Sequence, residues 1–393
     1  MKARLSDGEL LGRLVAFDTT SSNSNLPLVD FLSDYLAGSG ARLHRMPSED
    51  GTKANLAAVK GPARADRDGL TLCGHMDVVP AVEPEWTSDP FQAVRSGDTL
   101  VGRGTADMKG FLALAVAAFT ETDSGSLDRP LALLFTYDEE VGTRGARRLV
   151  ETGGTPEPLP RRTIVGEPTS LTPARLHKGH LRARISIRGQ AAHSGVPHVG
   201  LSAIEPAARV VAALAELRRA LESEVPVHAA AFPQVPFVTL NVGTIRGGVA
   251  ANVVPDRCEV ELGARLLPGM DTEPLVARIE AAVAGAVGGT PYEIEVVGDS
   301  PPALLDETSD LWAWLSAEAA RESPARSAEG GEGSASVPFA TDAGWLQELG
   351  YECVIWGPGA IEVAHRPNEF VPLEDLSRAR ATIGRALERW CLR

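Results

Sequence analysis

Residues 70–80 read LTLCGHMDVVP, an apolar run that ends in a histidine and an aspartate. The run has the length of a buried strand, and its charged residues come directly after it. Similar apolar runs occupy residues 131–137, 163–165 and 353–356, and longer patterns with helical spacing, such as residues 111–120, lie between them. This alternation predicts an α/β fold with a mostly parallel sheet and helices on both faces.

Between residues 178 and 292 the pattern changes to alternating strands, such as 182–187 and 258–266, with two long helical patterns. Alternation of apolar and polar residues is typical of a sheet that has one exposed face. We therefore predict a smaller α+β domain, inserted into a larger domain that is made of residues 1–177 and 293–393.

The chain of 393 residues has 38 Lys and Arg against 52 Asp and Glu, a net charge of −14. This charge argues against nucleic acid and anionic membranes as partners and favours a small-molecule ligand. The apolar run 111–119 is shorter than the roughly 18 to 20 residues of a membrane span. The charged N-terminal sequence is unlike a signal peptide, and four scattered cysteines without a CxxC spacing are typical of reduced thiols, so we expect a cytoplasmic protein.

Acidic residues and histidines follow the apolar runs at five places along the chain. In a parallel α/β sheet, residues just beyond the strand ends share one edge, where such folds bind ligands. We therefore expect these side chains to converge, although the sequence spreads them widely. They are His75 and Asp77, Asp107, Glu139 and Glu140, Glu167, and His365.

Carboxylates that converge repel one another, by about 4 kcal/mol for each pair at about 4 Å and an effective dielectric constant near about 20. A cation must therefore lie among them. Imidazole and carboxylate donors suit zinc, with cobalt or manganese as alternatives, better than calcium or magnesium. Two divalent ions, three carboxylates and one bridging hydroxide carry no net charge together, so we predict a two-metal centre with an activated water.

Hydrolysis at such a centre also requires a base that takes the proton of the water. Neighbouring side chains of an extended chain point in opposite directions, so one of Glu139 and Glu140 can bind metal while the other stays free. Asp77, two residues beyond His75, is placed to accept the second N–H of that imidazole and to fix its tautomer.

Five ordered motifs carry a resemblance to a known family: CGHMDVVP, GRGTADMKG, TYDEEVG, VGEPT and GPGAIEVAHRPNE. Over essentially its whole length, the chain resembles the zinc-dependent aminoacylase and deacylase family of metallopeptidases. That family includes acetylornithine deacetylase, succinyl-diaminopimelate desuccinylase and several carboxypeptidases, and the TADMKGF, TYDEEVGTRGA and HKGH segments are most similar to the acetylornithine deacetylase branch. The resemblance implies removal of the acyl group from an N-acylated amino acid, with acetylornithine as the favoured substrate.

The same resemblance implies a role for each residue of the metal centre. His75 and Glu167 would hold one metal ion, Glu140 and His365 would hold the other, and Asp107 would bridge both.

Further roles follow from the resemblance for residues that do not bind metal. Glu139 would be the general base and acid, and Asp77 would orient the neighbouring imidazole. The segment RGQAAHS ends with His193 and Ser194, and this histidine would polarise the scissile carbonyl across a dimer interface. The inserted domain mediates dimerisation in the family, which implies a homodimer.

A substrate α-carboxylate needs a cationic partner, for which the planar fork of arginine is well suited. Arg265 resembles the carboxylate-binding arginine of the family, and Asn252 resembles its companion asparagine. Asp342 and Glu362 are candidates to contact a cationic substrate side chain.

Two kinds of alternative remain open. The same centre could serve a desuccinylase, a dipeptidase or a carboxypeptidase. A protein of another class, a catalytically silent relative that binds amino acids, could keep the fold without the chemistry. The presence of every implied ligand and of the base favours the enzyme.

Overall fold

The computed structural model describes residues 4–64, 66–322 and 335–393. The chain divides into two compact units. The first unit comprises Met1–Arg175, Leu305–Ala335 and Thr341–Arg393, and the second comprises Leu176–Leu304 and Ser336–Ala340.

Helices form at the helical patterns predicted from the sequence, including residues 111–120 and the two long patterns between residues 178 and 292. Helix 1 begins with a capping box, in which Ser6 and Glu9 each accept a hydrogen bond from the other's backbone. In chain order the helices are α1 (Asp7–Val15), α2 (Leu26–Ala37), α3 (Gly110–Glu121), α4 (Arg144–Glu151), α5 (Ile204–Ser223), α6 (Thr272–Ala286), α7 (Asp310–Glu322), α8 (Ala343–Glu348) and α9 (Leu373–Trp390).

The strands include both buried apolar runs and half-exposed alternating segments. In chain order they are β1 (Arg42–Pro47), β2 (Ala54–Lys60), β3 (Leu70–His75), β4 (Val94–Ser96), β5 (Thr99–Val101), β6 (Leu131–Thr136), β7 (Arg162–Val165), β8 (Leu176–His177), β9 (His180–Arg188), β10 (Ala192–His193), β11 (Thr239–Gly247), β12 (Val253–Val254), β13 (Arg257–Arg265), β14 (Tyr292–Ser300), β15 (Ala303–Leu304), β16 (Ser336–Val337), β17 (Glu352–Ile355) and β18 (Phe370–Pro372).

The main sheet of the first unit has the order β1-β2-β6-β3-β7-β17 in the described part of the chain. The strands β6, β3, β7 and β17 are parallel neighbours, whereas β1 and β2 extend the sheet with antiparallel pairing. The parallel strands are buried on both faces, which explains their continuous apolar sequences. The predicted α/β fold with a mostly parallel sheet is therefore confirmed.

Helix α3 forms much of the hydrophobic core of the first unit. Every residue from Gly110 to Thr120 is buried, and the helix contacts α1, α9 and the sheet strands β3 and β6. An irregular turn over Thr105–Lys109 leads into it, with non-helical backbone angles at Asp107. Because the buried helix α3 follows this turn directly, it helps to fix the position of Asp107.

The second unit contains an antiparallel sheet with the order β11-β13-β9-β14. In β9 and β13, buried residues alternate with more exposed ones, and α5 and α6 contact each other, with α5 packing on the sheet. Strand β14 pairs with β9 along its length. Strand β15 in turn pairs with β8, and together these pairings explain why the second unit extends to Leu304, beyond the boundary of 292 expected from sequence.

The helices of the described residues are too short or too polar to cross a membrane.

Candidate active site

The carboxyl ends of the parallel strands carry the predicted site residues of the first unit. His75 is the last residue of β3, Glu139 and Glu140 follow the end of β6, and Glu167 stands two residues beyond β7. Because neighbouring parallel strands end at the same edge of a sheet, these side chains come together.

Two further residues reach the same edge from loops. Asp107 comes from the irregular turn before α3, and His365 comes from the loop between β17 and β18, where its φ angle is +60°. Left-handed backbone at a histidine is uncommon, so the surrounding structure must favour this loop conformation.

Five side chains form two overlapping groups that could each hold a metal ion. The potential ligand atoms of His75, Asp107 and Glu167 all lie within 4.8 Å of one another, and the same holds for Asp107, Glu140 and His365. Asp107 is common to both groups.

The two carboxylate oxygens of Asp107 face different imidazoles. Its Oδ1 lies 3.0 Å from Nε2 of His75, and its Oδ2 lies 3.2 Å from Nε2 of His365. The same nitrogen of His365 lies 3.0 Å from Oε2 of Glu140. Asp107 thus directs one oxygen to His75 of the first group and the other to His365 of the second, which is the arrangement of a bridging ligand.

The carboxyl groups of the site are crowded and poorly solvated. Desolvation, followed by the charge of Asp107, raises the pKa of Glu140 to about 7, and the pKa values of Glu139 and Glu167 are raised for the same kinds of reason. Oε1 of Glu167 is buried and has no hydrogen-bond partner among the described residues. A buried acceptor of this kind is costly without a partner, which a cation would provide.

The pKa values of the two histidines are raised as well, because the surrounding carboxylates favour the protonated imidazole. Burial alone would lower the pKa of His75, but Asp107 and the other nearby carboxylates raise it well above its usual value. Hydrogen bonds to Asp107 and Glu140 raise the pKa of His365 to about 10. The donor set of two imidazole nitrogens and three carboxylates fits zinc and its first-row neighbours.

The acidic pair after β6 lies in a turn and not in an extended segment, because the carbonyl of Glu139 accepts the N–H groups of Gly142 and Thr143. Among the described residues, Glu140 belongs to one of the two candidate metal groups and Glu139 belongs to neither. Glu139 therefore keeps a carboxylate that can exchange protons.

Asp77 acts differently from the expectation for its side chain. Nδ1 of His75 lies 2.9 Å from the backbone carbonyl oxygen of Asp77 but 3.6 Å from the carboxylate Oδ1, so the backbone accepts the imidazole N–H. The carboxylate instead accepts the backbone N–H groups of Glu139 at 3.0 Å and Glu140 at 3.3 Å, and the hydroxyl of Ser21 at 2.7 Å. The backbone carbonyl of Asp77 therefore fixes the tautomer of His75, and its carboxylate fixes the backbone of Glu139 and Glu140.

Three predicted residues lie in the second unit. His193 belongs to β10, which pairs with β12, and the N–H of Ser194 donates to the carbonyl of Asn252 at 2.9 Å. The N–H of Gly195 donates to Nδ1 of His193 at 3.0 Å, and the histidine is exposed.

Arg265 is the last residue of β13, in the same unit. Burial, with a smaller contribution from the positive charge of Arg265, lowers the pKa values of His177 and His180 to about 4. The two histidines of the HKGH segment are therefore neutral neighbours of this arginine at neutral pH.

Several supporting residues were missed by sequence reasoning. Ser21 contacts Asp77, and a buried pair of Arg103 and Glu369 contacts the turn that carries Asp107. The pair was detectable only as two polar residues inside the GRGTADMKG and HRPNE motifs.

Asp342 does not occupy the position expected for a residue that contacts a substrate side chain. It is 1% exposed, and it accepts a hydrogen bond from the hydroxyl of Thr136, the last residue of β6. Burial raises its pKa to about 6. Glu362 is exposed, three residues before His365.

Comparisons with known proteins agree with this geometry. The model of peptidase family M20/M25/M40 matches residues 71–389. An acetylornithine deacetylase of Myxococcus xanthus is 37% identical over 392 residues, which cover 97% of this chain and 96% of that protein. An acetylornithine deacetylase of Proteus mirabilis is 34% identical, covering 96% of this chain and 93% of that protein.

Solved structures show the same fold at low sequence identity. An M20 family metallo-carboxypeptidase from Sulfolobus solfataricus has a TM-score of 0.79 at 16% identity, covering 98% of this chain and 99% of that one. A dinuclear metal-binding peptidase of the M20 family from Bacillus subtilis has a TM-score of 0.59 at 17% identity, covering 98% of both chains.

The predicted family resemblance is confirmed by these matches, and so is the prediction of a metallohydrolase that acts on amide bonds. By the extent of the family match and the near full-length identity to its relatives, the chain belongs to peptidase family M20/M25/M40.

Proposed function

We propose that the protein is a binuclear metal-dependent amidohydrolase that removes the acetyl group from N-acetylornithine. The observation that carries this proposal is the pair of overlapping ligand groups that share Asp107. The substrate is inferred from relatives that are 33–37% identical and are named acetylornithine deacetylase.

We assign the ligands according to the two groups. His75 and Glu167 would hold one ion, Glu140 and His365 would hold the other, and Asp107 would bridge them. Zinc is the metal that this donor set favours, with cobalt and manganese as alternatives. When bound, two divalent cations would polarise the amide carbonyl and lower the pKa of the attacking water.

Glu139 is the proposed general base and acid. Its backbone N–H donates to Asp77 at 3.0 Å, which fixes the start of its side chain next to the ligand Glu140. Glu139 would take a proton from the attacking water and return it to the nitrogen of the departing amine. A single carboxyl group can serve both steps, because the proton that it gains in the first is the one that it gives in the second.

His193 is the proposed donor to the oxygen of the scissile carbonyl. Because Nδ1 of His193 accepts the N–H of Gly195, the proton of the neutral imidazole is on Nε2. An Nε2–H group can donate a hydrogen bond to the negative charge that develops on the carbonyl oxygen. We also propose a homodimer formed through the second unit, which light scattering of the purified protein would test.

Arg265 and Asn252 are the proposed contacts of the substrate α-carboxylate. The guanidinium group supplies paired donors that match a carboxylate. Arg265→Ala should raise KM strongly and leave the metal content unchanged; an unchanged KM would contradict this role.

The cellular location that we propose is the cytoplasm. All four cysteines are free and buried, the state that a reducing compartment favours.

The decisive experiment is a substrate panel with the metal-loaded enzyme. We expect kcat/KM to be highest for N-acetylornithine, compared with acetylated neutral amino acids, N-succinyl amino acids and dipeptides, and a chelator should abolish the activity. A preference for a neutral acetylated amino acid would remove ornithine but keep the deacylase. A preference for succinyl substrates or dipeptides would indicate a desuccinylase or a peptidase, and no hydrolysis of any member would favour a silent binding protein.

A further inference from the structure

Glu369 accepts five hydrogen bonds from the segment of residues 102–107, one from the side chain of Arg103 and four from other residues. Its carboxylate Oε1 accepts the backbone N–H groups of Ala106 and Asp107, each at 3.0 Å. Its backbone carbonyl accepts the N–H of Gly102 at 2.9 Å and the hydroxyl of Thr105 at 3.3 Å. The side chain therefore holds the backbone of the residue whose carboxylate is shared between the two ligand groups.

Arg103 balances the charge of this buried carboxylate. Its Nη1 donates to Oε2 of Glu369 at 2.8 Å, and both side chains are 1% exposed. Its Nη2 donates to the carbonyl of Pro80 at 3.1 Å, and the guanidinium lies 5.2 Å from the ring centre of Trp86. These contacts fix the guanidinium of Arg103. The guanidinium in turn fixes the orientation of the Glu369 carboxylate toward the N–H groups of Ala106 and Asp107.

Glu369 lies in the same loop as His365, a member of one of the two ligand groups. It stands four residues after His365, and the carbonyl of Arg366 in the same loop accepts a hydrogen bond from Nη1 of Arg103 at 3.4 Å. One buried ion pair thus contacts both the turn that carries Asp107 and the loop that carries His365. We propose that Glu369, held by Arg103, is a positioning residue that sets the orientation of Asp107 as the bridge between two metal ions.

This role requires a carboxylate rather than any polar side chain. One oxygen of Glu369 accepts two N–H donors while the other faces a guanidinium, so every neighbour of the group is a donor. In Glu369→Gln the shape is kept, but the amide NH₂ must point either at Arg103 or at the two backbone N–H groups. Either orientation sets donor against donor and disturbs the turn at Asp107.

The inference rests on the proposed metal centre, and Co²⁺ binding to chelator-treated protein tests both. Calorimetry and visible absorption should show two Co²⁺ ions per wild-type chain. In Glu369→Gln we expect both ions to bind about tenfold more weakly or worse. Substitution of a residue that hydrogen-bonds to a metal ligand typically lowers metal affinity by about 10- to 100-fold. Arg103→Lys, which keeps the charge but not the fork of donors, should show a smaller loss. In the metal-free protein, hydrogen exchange over residues 103–109 should be faster in Glu369→Gln than in wild type.

Glu318→Gln is the matched control for a purely structural ion pair. Glu318 is also a buried carboxylate of the first unit, and it accepts hydrogen bonds from Arg321 at 2.8 Å and Arg385 at 2.6 Å. This variant should unfold at a lower temperature and keep the wild-type Co²⁺ affinity.

Three results would overturn the inference, and they are distinguishable. If Glu369→Gln and Arg103→Lys lower the unfolding temperature as Glu318→Gln does, yet bind Co²⁺ within twofold of wild type, the pair only stabilises the fold. If Glu369→Gln fails to fold, Arg103→Lys alone decides, since unchanged affinity there excludes the positioning role. If the wild-type protein binds no Co²⁺, the metal centre itself is refuted together with the proposed function.

Discussion

Oδ1 of Asp77 accepts the backbone N–H of Glu139 at 3.0 Å. The backbone carbonyl of Asp77 accepts Nδ1–H of His75 at 2.9 Å. One residue therefore fixes both a candidate ligand and the candidate base. Ser21, from a segment before the first strand, supports this arrangement by donating its hydroxyl to the same carboxylate.

The carboxylate of Asp77 should matter for catalysis more than the hydroxyl that supports it. Asp77→Ala removes the acceptor of two backbone N–H groups, and we expect kcat to fall about 10- to 100-fold. Ser21→Ala removes one hydrogen bond, worth about 1 kcal/mol, and should lower kcat by less than about tenfold. Steady-state kinetics on the metal-loaded variants would check this order, and equal losses would contradict it.

Substitution of Glu139 and substitution of Glu140 should have different effects on activity and metal content. Glu139→Gln cannot take the proton of the water, so we expect kcat to fall about 10²- to 10⁴-fold while two metal ions stay bound. Glu140→Gln should instead lose one ion, because Glu140 belongs to a ligand group. Elemental analysis beside kinetics separates the variants; normal turnover in Glu139→Gln would refute the assigned base.

Metal binding should depend on pH because the metal-free site holds protons. Hydrogen bonds to Asp107 and Glu140 raise the pKa of His365 to about 10, so its imidazole is protonated at pH 7, whereas a ligand imidazole must be neutral. Binding therefore releases protons, and metal affinity should rise as the pH rises toward that pKa.

Calorimetry at pH 7 in two buffers with different ionisation enthalpies would measure this proton release. We expect release of about one proton or more as the site fills. His365→Gln should release fewer protons. Identical apparent enthalpies in both buffers would contradict the expectation.

The strand end that precedes Glu167 should not tolerate a larger residue. A Cβ atom on Gly166 would lie 2.0 Å from the ring of Phe111, which is fully buried. Gly166→Ala should therefore lower the free energy of unfolding by about 1–3 kcal/mol.

A second glycine provides the control for this substitution. A Cβ on Gly384, within α9, would meet nothing within 4 Å, so Gly384→Ala should stabilise the protein by up to about 1 kcal/mol through helix propensity. Denaturant unfolding of both variants would check the contrast, and equal stabilities would contradict it.

The sequence predicts the α/β fold and the convergence of the charged side chains because both depend on local patterns. The apolar run before His75 specifies a buried strand, and the ends of parallel strands meet at one edge. Even Asp107 and His365, which come from loops, stand in motifs that mark them.

Contacts between distant residues could not be predicted in this way. The partners Glu369 and Asp107 are separated by 262 positions, and no periodicity relates them. Asp342 illustrates the same difficulty, because the sequence around it gives no sign that Thr136 is its hydrogen-bond partner. Whether the carbonyl or the carboxylate of Asp77 accepts the N–H of His75 depends likewise on the position of Glu139 and Glu140, whose backbone N–H groups bind the carboxylate.

Asp107 is proposed as a ligand shared by two metal ions, and counting the bound ions tests this role most directly. The wild-type protein, stripped with a chelator and reloaded with Zn²⁺, should contain two ions per chain. His75→Ala and His365→Ala should each retain one ion, whereas Asp107→Ala should weaken the binding of both. Two tightly bound ions in Asp107→Ala, or a wild-type chain that holds none, would contradict the account.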